Sequence, residues 1–476
     1  MHHRAERERM RVAVVGGGLA GLATAWFLRH TGCQVTLFEA RRVLGGRVRS
    51  VTDPEMGQTI DTCQHVALGC CTEFLRFCRE MNALNLFDRH RTLFFTDGAG
   101  KICRFRAARG LPAPFHLLPT LLRFTLVSPS ERLVLLRAAW TLWRGGSDPA
   151  HTSADEMTEA FLLRTGQSER LLRMFWGPLL VSATSETLDR IPLPLTRMII
   201  REVFIKNRYG HELRIPRVPL SVLCDVHFRG RLETAGVRIL SGRSVRGISR
   251  CNNTWCLHFA DGQTENFVAV VLAVPWWVAA RLLPAEIGSK LLPGWPTCRS
   301  RTSPEACAIT GVHLWFDRPG FSLPHAVLPY ALSQWVFRPP FADISRGESS
   351  GTRGDSSSAK PLWYCHVVIS ASHRLAPGSP EECRERVVRE LRATFSPLQS
   401  AQLLASRVIT EPAAVLSPGR EWDRRRPPQD TGIPGLVLAG DWTATGWPGT
   451  MESAVRSARL ASAVVSKFLE SLSTRW

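Results

Sequence analysis

Two stretches of this chain gather residue types that do chemistry. In the first, Gly16, Gly18 and Gly21 stand in GxGxxG spacing after the apolar run Val12 to Val15. Each glycine serves a separate steric purpose. Gly16 permits a tight turn, Gly18 lets the backbone approach a pyrophosphate, and Gly21 lets a helix lie close on a strand. Glu39 follows at about the ~20-residue offset of an acidic residue that grips a ribose hydroxyl. In the second stretch, residues 60–75 read IDTCQHVALGCCTEFL and place Asp61, Gln64 and His65 within five positions. The ordinary pKa of an imidazole, near ~6.5, suits proton donation near neutrality. Asp61 is the nearest carboxylate, and a buried place at a strand end, bonded to backbone amides, accounts for it equally well.

The elements that must position these groups are legible. Val12 to Val15 reads as a buried parallel strand, a helix follows and ends near Gly32, and CQVTLFE forms a second strand closed by Glu39. Strand, glycine turn, helix, strand and acidic residue together predict a βαβ dinucleotide-binding unit. Much later, VLAGDWTATGWPGTMESAVRSA gives another strand and then a helix starting around Thr450, Met451 and Glu452.

The segment ARRVLGGRVRS, with Gly45, Gly46 and Arg47, resembles the GGR motif of the FAD-dependent amine oxidase and carotenoid desaturase superfamily. That resemblance implies a fold and a cofactor. The fold is an α/β, Rossmann-type FAD-binding domain with an inserted α+β substrate domain, and the cofactor is FAD. It also implies roles: Arg47 contacts the flavin phosphates, Asp441 after Gly440 lies near the ribityl chain, and Val245 lies against the adenine. The helix at Thr450 and Met451 aims its N-terminus at the flavin ring, where its dipole stabilises negative charge.

Residues 60–75 resemble more narrowly the hydroxysqualene dehydroxylases of bacterial hopanoid synthesis, also described as squalene-associated FAD-dependent desaturases. The likeness continues in LPAPFHLLPTLLRF, FWGPLL, RIPRVPL, VHLWFDRP, QWVF and the C-terminal segment, and departs at Thr62 and in a Ser/Gly insert near residue 350. It implies that Cys63, Gln64 and His65 lie near the reactive edge of the flavin and that the reaction is a reductive dehydroxylation. A long-chain isoprenoid is then the substrate, in a tunnel lined by residues such as Phe175, Trp176, Leu179 and Trp335. Phytoene-type desaturation is the nearest alternative. Amine oxidases of the superfamily carry a lysine where this chain has Gly311 and an aromatic residue where it has Thr450, and Tyr209, Tyr330 and Tyr364 are the only tyrosines available for an amine cage. The non-enzymatic prenyl-binding relatives lack flavin, and Arg47 with Gly440 and Asp441 argues against that reading. No second GxGxxG is present for a nicotinamide, so an external electron donor is expected.

Composition limits the partners. The 476 residues carry 60 basic and 41 acidic side chains, a net charge of +19. Such a balance attracts nucleic acid or an anionic membrane surface. The basic residues are scattered, with no nucleic-acid-binding module, so nucleic acid is not an expected partner. Thirteen cysteines, without a secretory leader, fit a reduced compartment. Cys63, His65, Cys70 and Cys71 cluster but lack a second ligand pair, and no metal is expected. No run reaches the ~18 apolar residues of a spanning helix. Residues 112–143, two apolar helices punctuated by Arg123, Arg132 and Arg137 with Ser130 as cap of the second, read either as core or as an interfacial anchor that would insert Leu121, Leu122 and Phe124. The expected location is cytoplasmic, peripheral on the inner face of the cytoplasmic membrane.

The expected organisation has an N-terminal extension (1–10) and three visits to the FAD domain, at 11–89, 215–281 and 407–476. Substrate-domain segments lie between them at 90–214 and 282–406, the latter with a flexible insert at 344–361.

Overall fold

The computed structural model describes residues 10–144, 156–291, 306–343, 362–376, 378–419 and 426–473. Most of the N-terminal extension and the insert at 344–361 lie outside these residues.

A five-stranded, all-parallel sheet holds the N- and C-terminal parts together. Its spatial order is Arg238–Ser241, Gln34–Glu39, Arg11–Val15, Ala269–Leu272, Leu436–Leu438. Val12 to Val15 and Ala269 to Leu272 are buried throughout, as strands covered on both faces must be. Helix Leu19–Leu28 buries nine of its ten residues because it lies between this sheet and the C-terminal helix Met451–Ser473. The latter turns Ala454, Ala458, Ala461, Val465 and Leu469 inward at spacings of three and four, and the small residues allow close approach. Helix Leu19–Leu28 stops four residues short of Gly32, which instead makes a left-handed turn before the second strand.

A seven-stranded sheet is assembled from both insertions, in the order Leu403–Leu416, Ala306–Phe316, Trp363–Ile369, Trp335–Phe337, His325–Val327, Thr92–Thr96, Ile102–Arg106. The pair Ala306–Phe316 and Leu403–Leu416 is its longest ladder. Strands Phe87–His90, Leu213–Pro216 and Leu403–Leu416 run across the expected divisions after 89, 214 and 406, so those divisions fall inside strands.

The helices of residues 112–143 need two corrections. The second spans Pro129–Arg144 and is capped by Ser128, not Ser130. The Ser128 hydroxyl accepts from the Glu131 amide at 3.3 Å and Glu131 Oε2 accepts from the Ser128 amide at 2.7 Å, a reciprocal box with Pro129 at the first helical position. Phe124 is buried and Leu121 partly buried, packed against the substrate-side core, which leaves Leu122 as the exposed member of the expected trio. The outward stripe of helix Pro129–Arg144 is Leu133, Arg137, Trp140 and Arg144, while Leu135, Ala138 and Leu142 face inward.

Candidate active site

The glycine turn has the shape that its spacing predicts. Gly16 has φ +111°, and a β-carbon there would stand 2.5 Å from the Ala273 carbonyl oxygen, so only glycine fits. A β-carbon on Gly21 would come within 1.8 Å of the Gly16 carbonyl oxygen, which records how closely helix and strand approach. Gly18 is different: its φ of −75° suits any residue, and the nearest atom to an added β-carbon is Cα of Gly46, 4.0 Å away. The space in front of Gly18 is therefore an open cradle that a side chain would fill, walled on the far side by the Gly45–Gly46 turn, and Gly18 bridges to Gly45. Glu39 ends its strand with Oε2 accepting from the Gly17 amide at 2.7 Å and Oε1 from the Arg41 amide at 2.8 Å, which fixes the carboxylate beside the turn. The Arg243 amide donates to the Glu39 carbonyl at 3.0 Å, bringing half-buried Val245 to the same end of the sheet.

Residues nearly four hundred positions apart meet at Arg47. Its guanidinium pairs with the Asp441 carboxylate and donates to the Ala414 carbonyl at 2.6 Å. The nearby carboxylates Asp441 and Glu411 outweigh burial and raise its pKa further, so its charge is fixed. Gly440 receives its place from Ser457, whose hydroxyl accepts the Gly440 amide at 2.8 Å. The Thr450 carbonyl accepts the Ala454 amide at 3.0 Å and opens the helix that begins at Met451. Glu452 is buried and accepts the amides of Glu73 (3.1 Å) and Phe74 (2.8 Å), capping the helix Thr72–Glu80 that follows the DTCQH segment. No motif marks Arg426 in the sequence, where it ends a run of three arginines. Its guanidinium donates to the carbonyls of Asp441 and Trp447 and to the Ser453 hydroxyl, bracing the loop between the last strand and the last helix.

Asp61 closes the strand Thr59–Asp61 and joins three elements. Its Oδ1 accepts from the Ser50 hydroxyl at 2.7 Å and the Leu220 amide at 2.9 Å, whereas Oδ2 is buried with no hydrogen-bond partner among the described residues. Burial pushes its pKa up to about 7 against the pull of those two donors. Gln64 is buried with its Oε1 likewise unpartnered among the described residues. His65 is half-buried, and its Nδ1 lies 2.9 Å from the Cys63 carbonyl oxygen, so Nδ1 carries the hydrogen and Nε2 presents a lone pair. Desolvation and the Arg47 charge hold its pKa below the ordinary imidazole range, which corrects the expectation of an unshifted donor at neutral pH. Burial pushes the Cys63 thiol up to about 12, so it is inert.

Across from this segment stands one face of the seven-stranded sheet. The cross-strand pairs Gly311 with Val368, His313 with His366 and Trp315 with Tyr364 put all six on that face. A β-carbon on Gly311 would lie 3.2 Å from the Thr62 carbonyl oxygen and 2.6 Å from His366 Nε2, so the imidazole fills the place of the missing side chain. Along the same face, Trp335 donates to the Ser182 hydroxyl at 2.7 Å and, with Val368 and Leu179, is half-buried against the core that contains Phe175. Trp176 belongs to that core instead of a tunnel wall: it is fully buried, and its Nε1 donates to Gln167 at 2.9 Å. The group of possible metal ligands found among the described residues is Glu186, Cys307 and His373, away from the cysteines of residues 63–71. Glu186 is already bonded to Arg374 at 2.9 Å and Ser417 at 2.9 Å and paired with Arg190, so arginine side chains supply its counter-charge.

A glycine cradle, an acidic strand end and an Arg–Asp pair beside the closing strand, with the half-buried His65 near Arg47, are the features that a flavin oxidoreductase site would use. The family of flavin containing amine oxidoreductases matches residues 19–466, and the chain belongs to it. The hydroxysqualene dehydroxylase of Zymomonas mobilis is 24% identical, covering 94% of this chain and 97% of its own. The 15-cis-phytoene desaturase of an Oncidium hybrid is 24% identical over 98% of this chain and 80% of its own. The cyclohexylamine oxidase structure from Brevibacterium oxydans shares the fold, with a TM-score of 0.65, 17% identity and coverage of 97% of this chain and 99% of that one. The protein is an FAD-dependent oxidoreductase.

Proposed function

We propose that the chain catalyses the FAD-dependent reductive dehydroxylation of hydroxysqualene to squalene, with reducing equivalents from an external donor. The observation that carries this reading is its end-to-end match with a hydroxysqualene dehydroxylase, joined to a sheet face on which His313 and His366, rather than amine-binding groups, are followed by the apolar, half-buried Val368 and Trp335.

The residues that would hold FAD fit it. The cradle at Gly18 would take the pyrophosphate, Glu39 the ribose and Val245 the adenine, while Arg47, Asp441, Gly46 and the helix start at Thr450 and Met451 would serve the flavin end. When bound and reduced, FAD supplies the hydride that replaces the departing hydroxyl. The protein must do the rest: orient the alcohol, deliver a proton to its oxygen, and keep water from the carbon that is exposed. Phe175, Leu179, Trp335 and Val368 provide the dry wall, where low polarity also strengthens charge pairing. His65 contacts the hydroxyl through Nε2 and acts as acid only in its protonated fraction, with Gln64 beside it and Asp61 holding the segment in place.

The substrate is lipid-soluble, and we place its entry at the stripe Leu133, Arg137, Trp140, Arg144 together with Phe115, Leu118 and Leu122. These exposed apolar side chains, at ~1.5–3 kcal/mol each when fully buried, plus ~1 kcal/mol per nearby arginine on anionic lipid, suffice for peripheral attachment. No helix among the described residues is long and apolar enough to cross a membrane.

The test is anaerobic: photoreduced, FAD-loaded protein is mixed with hydroxysqualene and the product read by mass. Squalene formation with flavin reoxidation is expected. No squalene, together with new double bonds in phytoene by the oxidised protein, would replace this reading with phytoene-type desaturation.

A further inference from the structure

His366 is fully buried, and neither ring nitrogen has a hydrogen-bond partner among the described residues. Burying an imidazole without partners costs free energy, and such groups persist in native proteins where something else completes them. Its surroundings are ordered. The His366 ring stacks on His313 with centroids 4.0 Å apart, and His313 Nδ1 lies 2.7 Å from the Tyr364 hydroxyl. Burial keeps Tyr364 neutral, and no other acceptor for its hydrogen is seen among the described residues, so the phenol donates to Nδ1 and the His313 hydrogen is placed on Nε2. Gly311 is what lets His366 Nε2 reach the strand beneath the Thr62 carbonyl, and any larger residue there would push it away. One residue pair further along the same face, Val368 and Trp335 are half-buried and apolar. The polar cluster therefore ends where the apolar wall begins, next to the segment that carries His65.

Resting on the dehydroxylase reading above, we infer that His366 is a substrate-binding residue that takes the hydroxyl of the isoprenoid alcohol, and that His313, Tyr364 and Gly311 are positioning residues for it. The site is selective for an alcohol over the corresponding hydrocarbon, because a hydrocarbon leaves the buried imidazole without a partner.

The experiment uses FAD-loaded protein and measures the affinities of hydroxysqualene and squalene by the perturbation of flavin absorbance in the oxidised state, beside flavin content and melting temperature. His366→Phe should weaken hydroxysqualene binding by roughly 10- to 100-fold while leaving squalene binding unchanged, and His366→Gln should restore part of the difference. Gly311→Ala, whose methyl would displace His366 Nε2, should act in the same direction; it decides the matter if His366→Phe loses its fold or its flavin. An alcohol-to-hydrocarbon affinity ratio unchanged in these variants would overturn the assignment while conversion of hydroxysqualene by the parent protein left the dehydroxylase reading standing. A parent protein that neither prefers nor converts the alcohol would overturn both.

Discussion

Replacing Asp61 by Asn separates a structural carboxyl from a catalytic one. The folded chain holds the Asp61 proton up to about pH 7, against an ordinary 3.8 for a free aspartate. In that window unfolding releases a proton, so stability falls as pH rises from about 4 to about 7 and is level above it. At about 1.4 kcal/mol per pH unit, the interval corresponds to about 4 kcal/mol. Asparagine has the same shape and keeps an acceptor for Ser50 and Leu220, but it never ionises. Its amide nitrogen, in the place of the unpartnered Oδ2, adds a cost of about 1–3 kcal/mol at every pH, which cancels when two pH values are compared. The measurement is the melting temperature of FAD-loaded protein at pH 5 and pH 8. Relative to the parent, Asp61→Asn should gain roughly 3 °C between pH 5 and pH 8, since only about two of those pH units (about 3 kcal/mol) lie below the folded pKa and a chain this long shifts by about 1 °C per kcal/mol. Turnover with hydroxysqualene should survive, since the carboxyl braces the segment from behind. Parallel pH dependences would refute the buried proton, and full folding with lost turnover would make Asp61 the acid.

Gly18→Val has an allowed backbone and a side chain aimed into open space, so it should purify folded but with little FAD, and full flavin occupancy would remove the pyrophosphate from that cradle. Asp441→Ala strips Arg47 of its partner and should also lower flavin content, read from the ratio of flavin to protein absorbance. If His65 protonates the leaving hydroxyl, His65→Gln should slow flavin reoxidation by hydroxysqualene by roughly 10²–10⁴-fold. Because its pKa is depressed, the parent rate should climb as pH falls from 8 to below 6.5, and a rate flat with pH would assign the proton to another group. The triple change Leu122→Ser, Leu133→Ser and Trp140→Ser should abolish sedimentation with anionic vesicles while sparing the fold, whereas salt should weaken the parent's binding only in part. Unchanged sedimentation would take those side chains out of the membrane.

The part of the molecule that the sequence makes legible is the part whose chemistry is local in sequence. GxGxxG spacing with Glu39 declares itself within a few residues and folds as the spacing implies, whereas the GGR turn and Gly440–Asp441 are tied to the same site through the family resemblance, and the structure pairs Arg47 with Asp441. The cap of helix Pro129–Arg144 is also legible, since Pro129 at the first helical position and Glu131 three after Ser128 mark Ser128, not Ser130. Phe124 and Trp176 depart from expectation for another reason: periodicity says that a face is apolar, not whether solvent, lipid or core meets it. The histidine cluster is out of reach because His313 and His366 come from strands whose register depends on the sheet, and nothing local pairs position 311 with position 366.

The Arg47–Asp441 pair spans 394 positions, and the sheet that carries the glycine turn is completed only by Leu436–Leu438. At about 5–20 residues per second, roughly 20–80 s of synthesis separate the two partners. During that time Arg47 lacks its carboxylate partner, and once Ala269–Leu272 has joined Arg11–Val15 it is the open edge of the sheet until Leu436–Leu438 arrives; closure over such a distance is slow. A chain that stops before the last strand and helix lacks the carboxylate partner of Arg47 and leaves Ala269–Leu272 as a hydrophobic sheet edge, so loss of roughly the final forty residues should send the nascent protein to aggregation or proteolysis rather than to a flavin-free enzyme.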